Sequence, residues 1–257
     1  MPPKPQLTHF LCIPLVNHAS RPQLQASISR FKAEVTNADD AGRSPIQSKA
    51  IRPVGAMHFT IGVMSLLTPE RLEAACTFLK HLNIAGLLKE ASDKDAKDVK
   101  DRTAGDVHEM NSQSVADLKP LKMTLSGLHP MQSASRTSSL YIGYNDTSPA
   151  LTPFCLNLQS AFRDAGFLLP DTRPLKLHAT IVNTIYVREA KSGKKRWSKD
   201  SAKIDATQII ETYKDYEWAK DLHIDRVAIC EMGAKKILEG EEVVDQVYTE
   251  VASVSLP

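Results

Sequence analysis

Long apolar runs are missing from this sequence. The stretch Phe10 to Val16 falls far short of the ~20 residues a membrane-spanning helix needs. The opening Met-Pro-Pro-Lys also lacks the apolar core of a secretory leader, so a soluble protein of nucleus and cytoplasm is expected. Cysteine is scarce and scattered. Cys12, Cys76, Cys155 and Cys230 show none of the short paired spacings of zinc sites, and they read as buried thiols of a reducing compartment. Net charge is small too: 32 Lys and Arg stand against 30 Asp and Glu, for +2. That gives no broad field for wrapping a nucleic-acid duplex, and any polyanion must be gripped locally. The 11 glycines include no Gly-rich run ahead of a helix, which excludes a phosphate-cradling loop.

What is present is ordinary for a folded chain, with 42% apolar and 24% charged residues. At 257 residues it can bury roughly three quarters of its unfolded surface. It is therefore read as a single domain over residues 1–257, built as two lobes sharing a core, with no disulfide or metal staple. Thr8 to Val16 is rich in β-forming residues and predicts a first strand. Leu24, Ile28, Phe31 and Val35 recur at helical spacing after Ser20, a candidate cap. Asp39 to Gly55 reads as a long connection before a strand at Met57 to Met64.

Thr68-Pro69 pairs a cap with proline at the first helical position, and Leu72, Ala75, Cys76 and Leu79 follow at helical spacing. Lys89 to Gln113 holds many charges and few large apolar residues, so it predicts a solvated insert or mobile loop, with His108 in solvent. Leu121 to Leu128 and Ser138 to Asn145 form a candidate hairpin. Thr152-Pro153 repeats the cap signal ahead of a stripe of Leu151, Cys155, Leu158 and Phe162, closed by Gly166. Leu175 to Val187 reads as a strand, and Lys191 to Lys199 as a basic turn. The tail predicts a short helix near Thr207 to Tyr213 and strands at His223 to Met232 and Gln246 to Ser255.

A duplication runs through these elements. Strand, helix and a strand bearing His-apolar-Thr-apolar occur at Thr8 to Met64 and again at Ser138 to Val187, a period longer than that of solenoid repeats and suited to two facing lobes about an approximate twofold. Of eight histidines, only His58 and His178 are followed by apolar, hydroxyl, apolar. The period of two puts His58, Thr60 and Gly62 on one face of their strand, and Lys176, His178, Thr180 and Val182 on one face of theirs. Polar residues on an otherwise apolar strand need a cleft or partners.

Two imidazoles in one cleft supply a general base and a general acid, the pair that in-line attack at phosphorus requires. Thr60 and Thr180 could donate to non-bridging phosphoryl oxygens, and Lys176 could add positive charge or lead its head to water at the rim. The competing reading is two satisfied core histidines. Two histidines with no third ligand at short spacing make an incomplete zinc set. Tyr141 and Tyr186 could sandwich a base, although strand aromatics more often pack. Arg188 and the basic turn with Trp197 could steer a nucleic-acid backbone, act as a localisation patch or lie in solvent.

The motifs HFTI at His58 and HATI at His178 resemble those of the two-histidine (2H) phosphoesterases, which include LigT-type RNA ligase-like and cyclic phosphodiesterase proteins. THFLCIPL, MHFTIGVMSLL, SLYIGY and KLHATIVNTIY resemble most the phosphoesterase-like domain of activating signal cointegrator complex subunit one, shared with the nuclear-localisation-signal domain of A-kinase anchoring proteins. The likeness spans roughly Thr8 to Ser255. It implies an α+β, bilobal LigT-like fold, with two antiparallel sheets about a pseudo-twofold, helices outside and a central cleft.

It also implies catalytic positions at His58, Thr60, His178 and Thr180, with no required metal or cofactor. Lys176, Tyr141, Tyr186 and Arg188 are the expected substrate contacts. The cointegrator subunit carries a KH domain before this region, where fewer than ten residues precede the first strand here. The insert is also longer than the family's usual connection. The expected activity is hydrolysis of an RNA-type phosphodiester, either a 2',3'-cyclic phosphate or a 2',5'-linked oligonucleotide. The alternative is a non-catalytic nucleotide- or RNA-binding subunit of a coactivator or repair complex. A monomer is expected, with RNA or nucleotide as partner and coactivator or repair proteins as further ones.

Overall fold

The computed structural model describes residues 5–37, 46–102, 120–146, 149–187 and 203–257. Strand β1 (His9–Pro14) pairs on one side with β2 (His58–Met64) and on the other with β7 (Arg226–Glu231), and β10 (Glu250–Ser255) forms the outer edge. In a second sheet, β4 (Ser139–Asp146) lies between β5 (Ala179–Asn183) and β3 (Lys122–Pro130), with β6 (Glu217–His223) outermost. Both sheets are antiparallel throughout. Their orders, β10-β7-β1-β2 and β6-β3-β4-β5, are equivalent, so the two duplicated units occupy matching places. The two motif-bearing strands are the edges at which the sheets meet. There the Arg52 N–H donates to Ile181 O at 2.7 Å and Ile51 bridges to Val182.

The helices bind the two sheets into one core. Helix α1 (Arg21–Thr36) buries Leu24, Ile28, Phe31 and Val35, and Phe31 meets Trp218 of β6 at 5.3 Å between centroids. Helix α4 (Leu151–Asp164) buries Leu151, Phe154, Cys155, Leu158 and Phe162, and Gln159 Nε2 donates to Ile61 O of β2 at 2.8 Å. Each helix thus leaves its own sheet and packs on that of the other unit. A single buried cluster consequently runs through both lobes, as expected when amphipathic stripes cover two sheet faces at once.

Several local expectations are corrected. Ser20 does not cap α1; its hydroxyl donates to Leu15 O at 2.8 Å, and Asn17 Oδ1 accepts the N–H groups of Ala19 and Ser20. Thr68 does cap α2 (Pro69–His81), accepting from the Arg71 N–H. Thr152, in contrast, sits inside α4, with its hydroxyl bonded to that of Tyr144. Most of the supposed insert is a helix, α3 (Ile84–Arg102). Ile84, Leu88 and Ala91 are buried at helical spacing, and a window opening at Lys89 cuts away the apolar turn that anchors it. Residues 103–113, His108 among them, lie outside the described residues.

The expected strand at 175–187 shortens to β5 because β4 offers partners only from Ile142 back to Ser139; Thr184–Val187 turns into a 3₁₀ helix. Strand β6 went unpredicted. Asp221 has φ 50° there, a left-handed residue that breaks the period-two alternation on which sequence reading depends. The short helix α5 (Thr207–Thr212) is as expected, but the tail also holds a hairpin of β8 (Lys235–Glu239) and β9 (Glu242–Val247). Gly240, at φ 62°, supplies the positive φ that its two-residue turn requires.

Candidate active site

Register irregularities fall at the same place in both lobes. The β1–β2 pairing shifts between Leu11 and Cys12, and Cys12 is the residue opposite Thr60. The β4–β5 pairing shifts between Leu140 and Tyr141, and Tyr141 is opposite Thr180. A bulge bends its strand and re-aims neighbouring side chains. Here the register shift falls next to each motif threonine.

His58, Thr60, His178 and Thr180 all line one cavity of about 190 Å³ where the two edges meet. The duplicated motifs, about 120 residues apart in sequence, therefore converge. Each imidazole is held alike. His58 Nδ1 lies 2.9 Å from Ala56 O, and His178 Nδ1 lies 2.7 Å from Lys176 O. A carbonyl only accepts, so Nδ1 carries the hydrogen in both rings and Nε2 is the nitrogen left for chemistry. His58 Nε2 is 3.1 Å from Thr60 Oγ1, so the neutral ring accepts from that hydroxyl.

The surroundings of the two rings differ. His58 is wedged against Phe10 at 4.8 Å and Tyr248 at 5.0 Å. Burial among these rings, reinforced by the charge of Arg52 and by His178 and opposed by the Ala56 carbonyl, pushes its pKa down to about 4. At neutral pH His58 is thus an uncharged base. His178 rests on the edge of Tyr141, at 5.4 Å.

A stability prediction follows from the His58 shift. Its folded pKa of about 4 lies below the ordinary 6.5, so between these values the unfolded chain binds the proton more readily. This contribution to stability is full above pH 6.5 and is lost as pH falls toward 4, at roughly 1.4 kcal/mol per pH unit. Denaturant melts at pH 7 and 4.5 are expected to show His58→Phe losing about 2 to 3 kcal/mol less than the unaltered protein on acidification. An equal loss in both would mean that His58 is not held neutral.

The other expected contacts are placed unevenly. Tyr186 lines the cavity at 46% exposed, on the 3₁₀ helix rather than a strand. Tyr141 is buried, and neither it nor Lys176 is part of the lining. Its ring is enclosed by His129 at 5.3 Å, His178, and Lys176 Nζ at 4.4 Å, so it supports His178 from behind. Arg188 and the basic turn lie outside the described residues. Sequence reading missed Arg52, Asn183 and Tyr248, which also line the cavity. Asn183, five residues after His178 and at the end of the strand that His178 precedes, was the one that spacing could have indicated. Tyr248 arrives from the far end of the chain through the β8–β9 hairpin, whose Asp245 accepts from the Gly55 N–H at 2.9 Å and pairs with Arg21 at 2.7 Å.

Among the described residues no cluster of three or more His, Cys, Asp or Glu side chains could hold a metal ion, and no helix is long and apolar enough to cross a membrane. The family model of the AKAP7 2'5' RNA ligase-like domain matches residues 7–256. Among solved structures, Escherichia coli LigT complexed with 3'-AMP aligns at a TM-score of 0.48 and 13% identity, over 97% of this chain and 98% of that one. A structure described as a phosphoesterase aligns at 0.47 and 14%, over 97% and 98%. TT0787 of Thermus thermophilus aligns at 0.45 and 12%, over 97% of each chain.

Proposed function

Because this chain belongs to the AKAP7 2'5' RNA ligase-like domain family, within the two-histidine phosphoesterases, we propose that it hydrolyses RNA-type phosphodiesters. The substrate is a 2',3'-cyclic phosphate or a 2',5'-linked oligonucleotide. The observation that carries this reading is the convergence of both His-Thr pairs, each histidine held through Nδ1, on one cavity.

His58, uncharged at neutral pH, takes the proton of the attacking water or ribose hydroxyl on Nε2, where Thr60 sits in the free site. His178 gives a proton from Nε2 to the departing ribose oxygen. One imidazole gains a proton as the other loses one, so the pair is reset by exchange with solvent. Thr60 and Thr180 donate to the non-bridging oxygens, on which charge builds at phosphorus. Tyr186 stacks the base. The two lobes work as a single domain, monomeric, acting on RNA in nucleus and cytoplasm, with coactivator or repair proteins as partners.

The test is an assay of purified protein, with EDTA present, on oligonucleotides ending in 2',3'-cyclic phosphate and on 2',5'-linked oligoadenylate. Turnover of either supports the reading. Tight binding of both with no product over hours would replace it by a non-catalytic nucleotide-binding module.

A further inference from the structure

Arg52 is 7% exposed, yet it lines the catalytic cavity beside His58 and His178. Among the described lining residues it is the only Lys or Arg. Its position is fixed three times over. The backbone N–H is tied to Ile181 O of the other lobe at 2.7 Å, Pro53 restricts the following φ, and the guanidinium lies 4.3 Å from the Tyr186 centroid. Both halves of the cleft therefore place this one cation.

Most of its donors have no partner among the described residues. A guanidinium offers five N–H groups. One is given to Gln246 Oε1 at 3.1 Å, and the Tyr248 hydroxyl is a second partner. Both partners are neutral. No carboxylate among the described residues forms an ion pair with Arg52. Asp245, the neighbour of Gln246, is already engaged by Arg21 and the Gly55 N–H. Burying a cation without a counter-anion is costly. The cost is recovered when a ligand supplies the anion, and the fork geometry of Arg suits two oxygens of one phosphoryl group.

We propose that Arg52 is a phosphate ligand of this cleft, binding non-bridging oxygens of the substrate phosphoryl group and stabilising the charge that grows on them during attack. The inference rests on the phosphoesterase reading for its catalytic half, whereas its anion-binding half stands on the cavity alone. The charge of Arg52 also helps to keep His58 unprotonated in the free site. A bound phosphoryl group offsets that charge, so His58 gains proton affinity when it must accept a proton.

Inorganic phosphate titrated into the purified protein and into Arg52→Met, followed by calorimetry, tests the anion site without requiring turnover. Binding at least tenfold weaker in Arg52→Met is expected, with Arg52→Lys in between. No measurable binding to the unaltered protein, or equal binding to both, would overturn the proposal. Hydrolysis of 2',3'-cyclic AMP tests the catalytic half. A fall of about 10²–10³ in kcat/KM for Arg52→Met is expected, and an unchanged kcat/KM would sink the inference while leaving the phosphoesterase reading intact. Arg52-dependent phosphate binding in a protein that turns over no phosphodiester would do the reverse. Thermal melts separate a scaffold role. Arg52→Met should melt no lower, because an unpaired buried charge is removed. A lower melting temperature with undiminished phosphate affinity in the folded protein would make Arg52 a brace rather than a ligand.

Discussion

Replacing either cleft histidine, as His58→Ala or His178→Ala, is expected to lower kcat/KM on RNA ending in 2',3'-cyclic phosphate by about 10²–10⁴, the usual worth of a positioned acid or base. The double variant should be little slower than either single one, because in the proposed mechanism the two rings act together in one displacement and groups that act as a unit are not additive. Both variants should remain folded: each ring lies at the cavity wall, and its Nδ1 bond goes to a carbonyl only two residues away. Steady-state kinetics alongside a thermal melt checks this. A loss below fivefold in either variant would remove that imidazole from the chemistry.

The pH dependence should show a displaced acid limb. Burial pushes the pKa of His58 in the unliganded protein down to about 4, and kcat/KM reports groups of the free protein. The acid limb is therefore expected below pH 5, about two units lower than an ordinary histidine base would give. Removing the Tyr248 ring, which helps to desolvate His58, should move the acid limb upward.

The largest expected stability effect lies at Trp218, 1% exposed at the meeting of α1 and β6. Its ring touches Phe31 at 5.3 Å, Tyr213 at 5.4 Å and Tyr216 at 4.9 Å, and its Nε1 donates to Gly127 O at 2.9 Å. Trp218→Ala removes a large buried side chain, and the aromatic groups around it can collapse only in part, so a loss of about 3–5 kcal/mol is expected. Trp218→Phe keeps most of the volume but leaves the Gly127 carbonyl without its donor, for a loss of about 1–3 kcal/mol. Urea unfolding gives both numbers. Because α1 crosses from one unit to the sheet of the other, a single transition should carry the loss. Two separated transitions would show lobes that unfold independently.

Much of this protein was legible from local pattern. The stripe from Leu24 to Val35, the Thr68-Pro69 start and the two His-apolar-Thr-apolar strands all carried their periods openly, since helical stripes and strand alternation are fixed within a few residues. Even the pairing of two distant motifs could be read, because duplication writes the same slot twice. Where a left-handed residue interrupted the alternation, as at Asp221 in β6, or where a charged window concealed the anchoring turn of α3, local pattern misled.

Other features were decided by tertiary structure alone. Nothing in the sequence says that α1 would cover the opposite sheet, or that a C-terminal hairpin would carry Tyr248 to His58. Tyr141 was turned from an expected platform into a support by the rings that enclose it. The low pKa of His58 has the same origin. A pKa depends on what displaces water around the ring, and Phe10 and Tyr248 reach His58 from distant segments that only folding brings together.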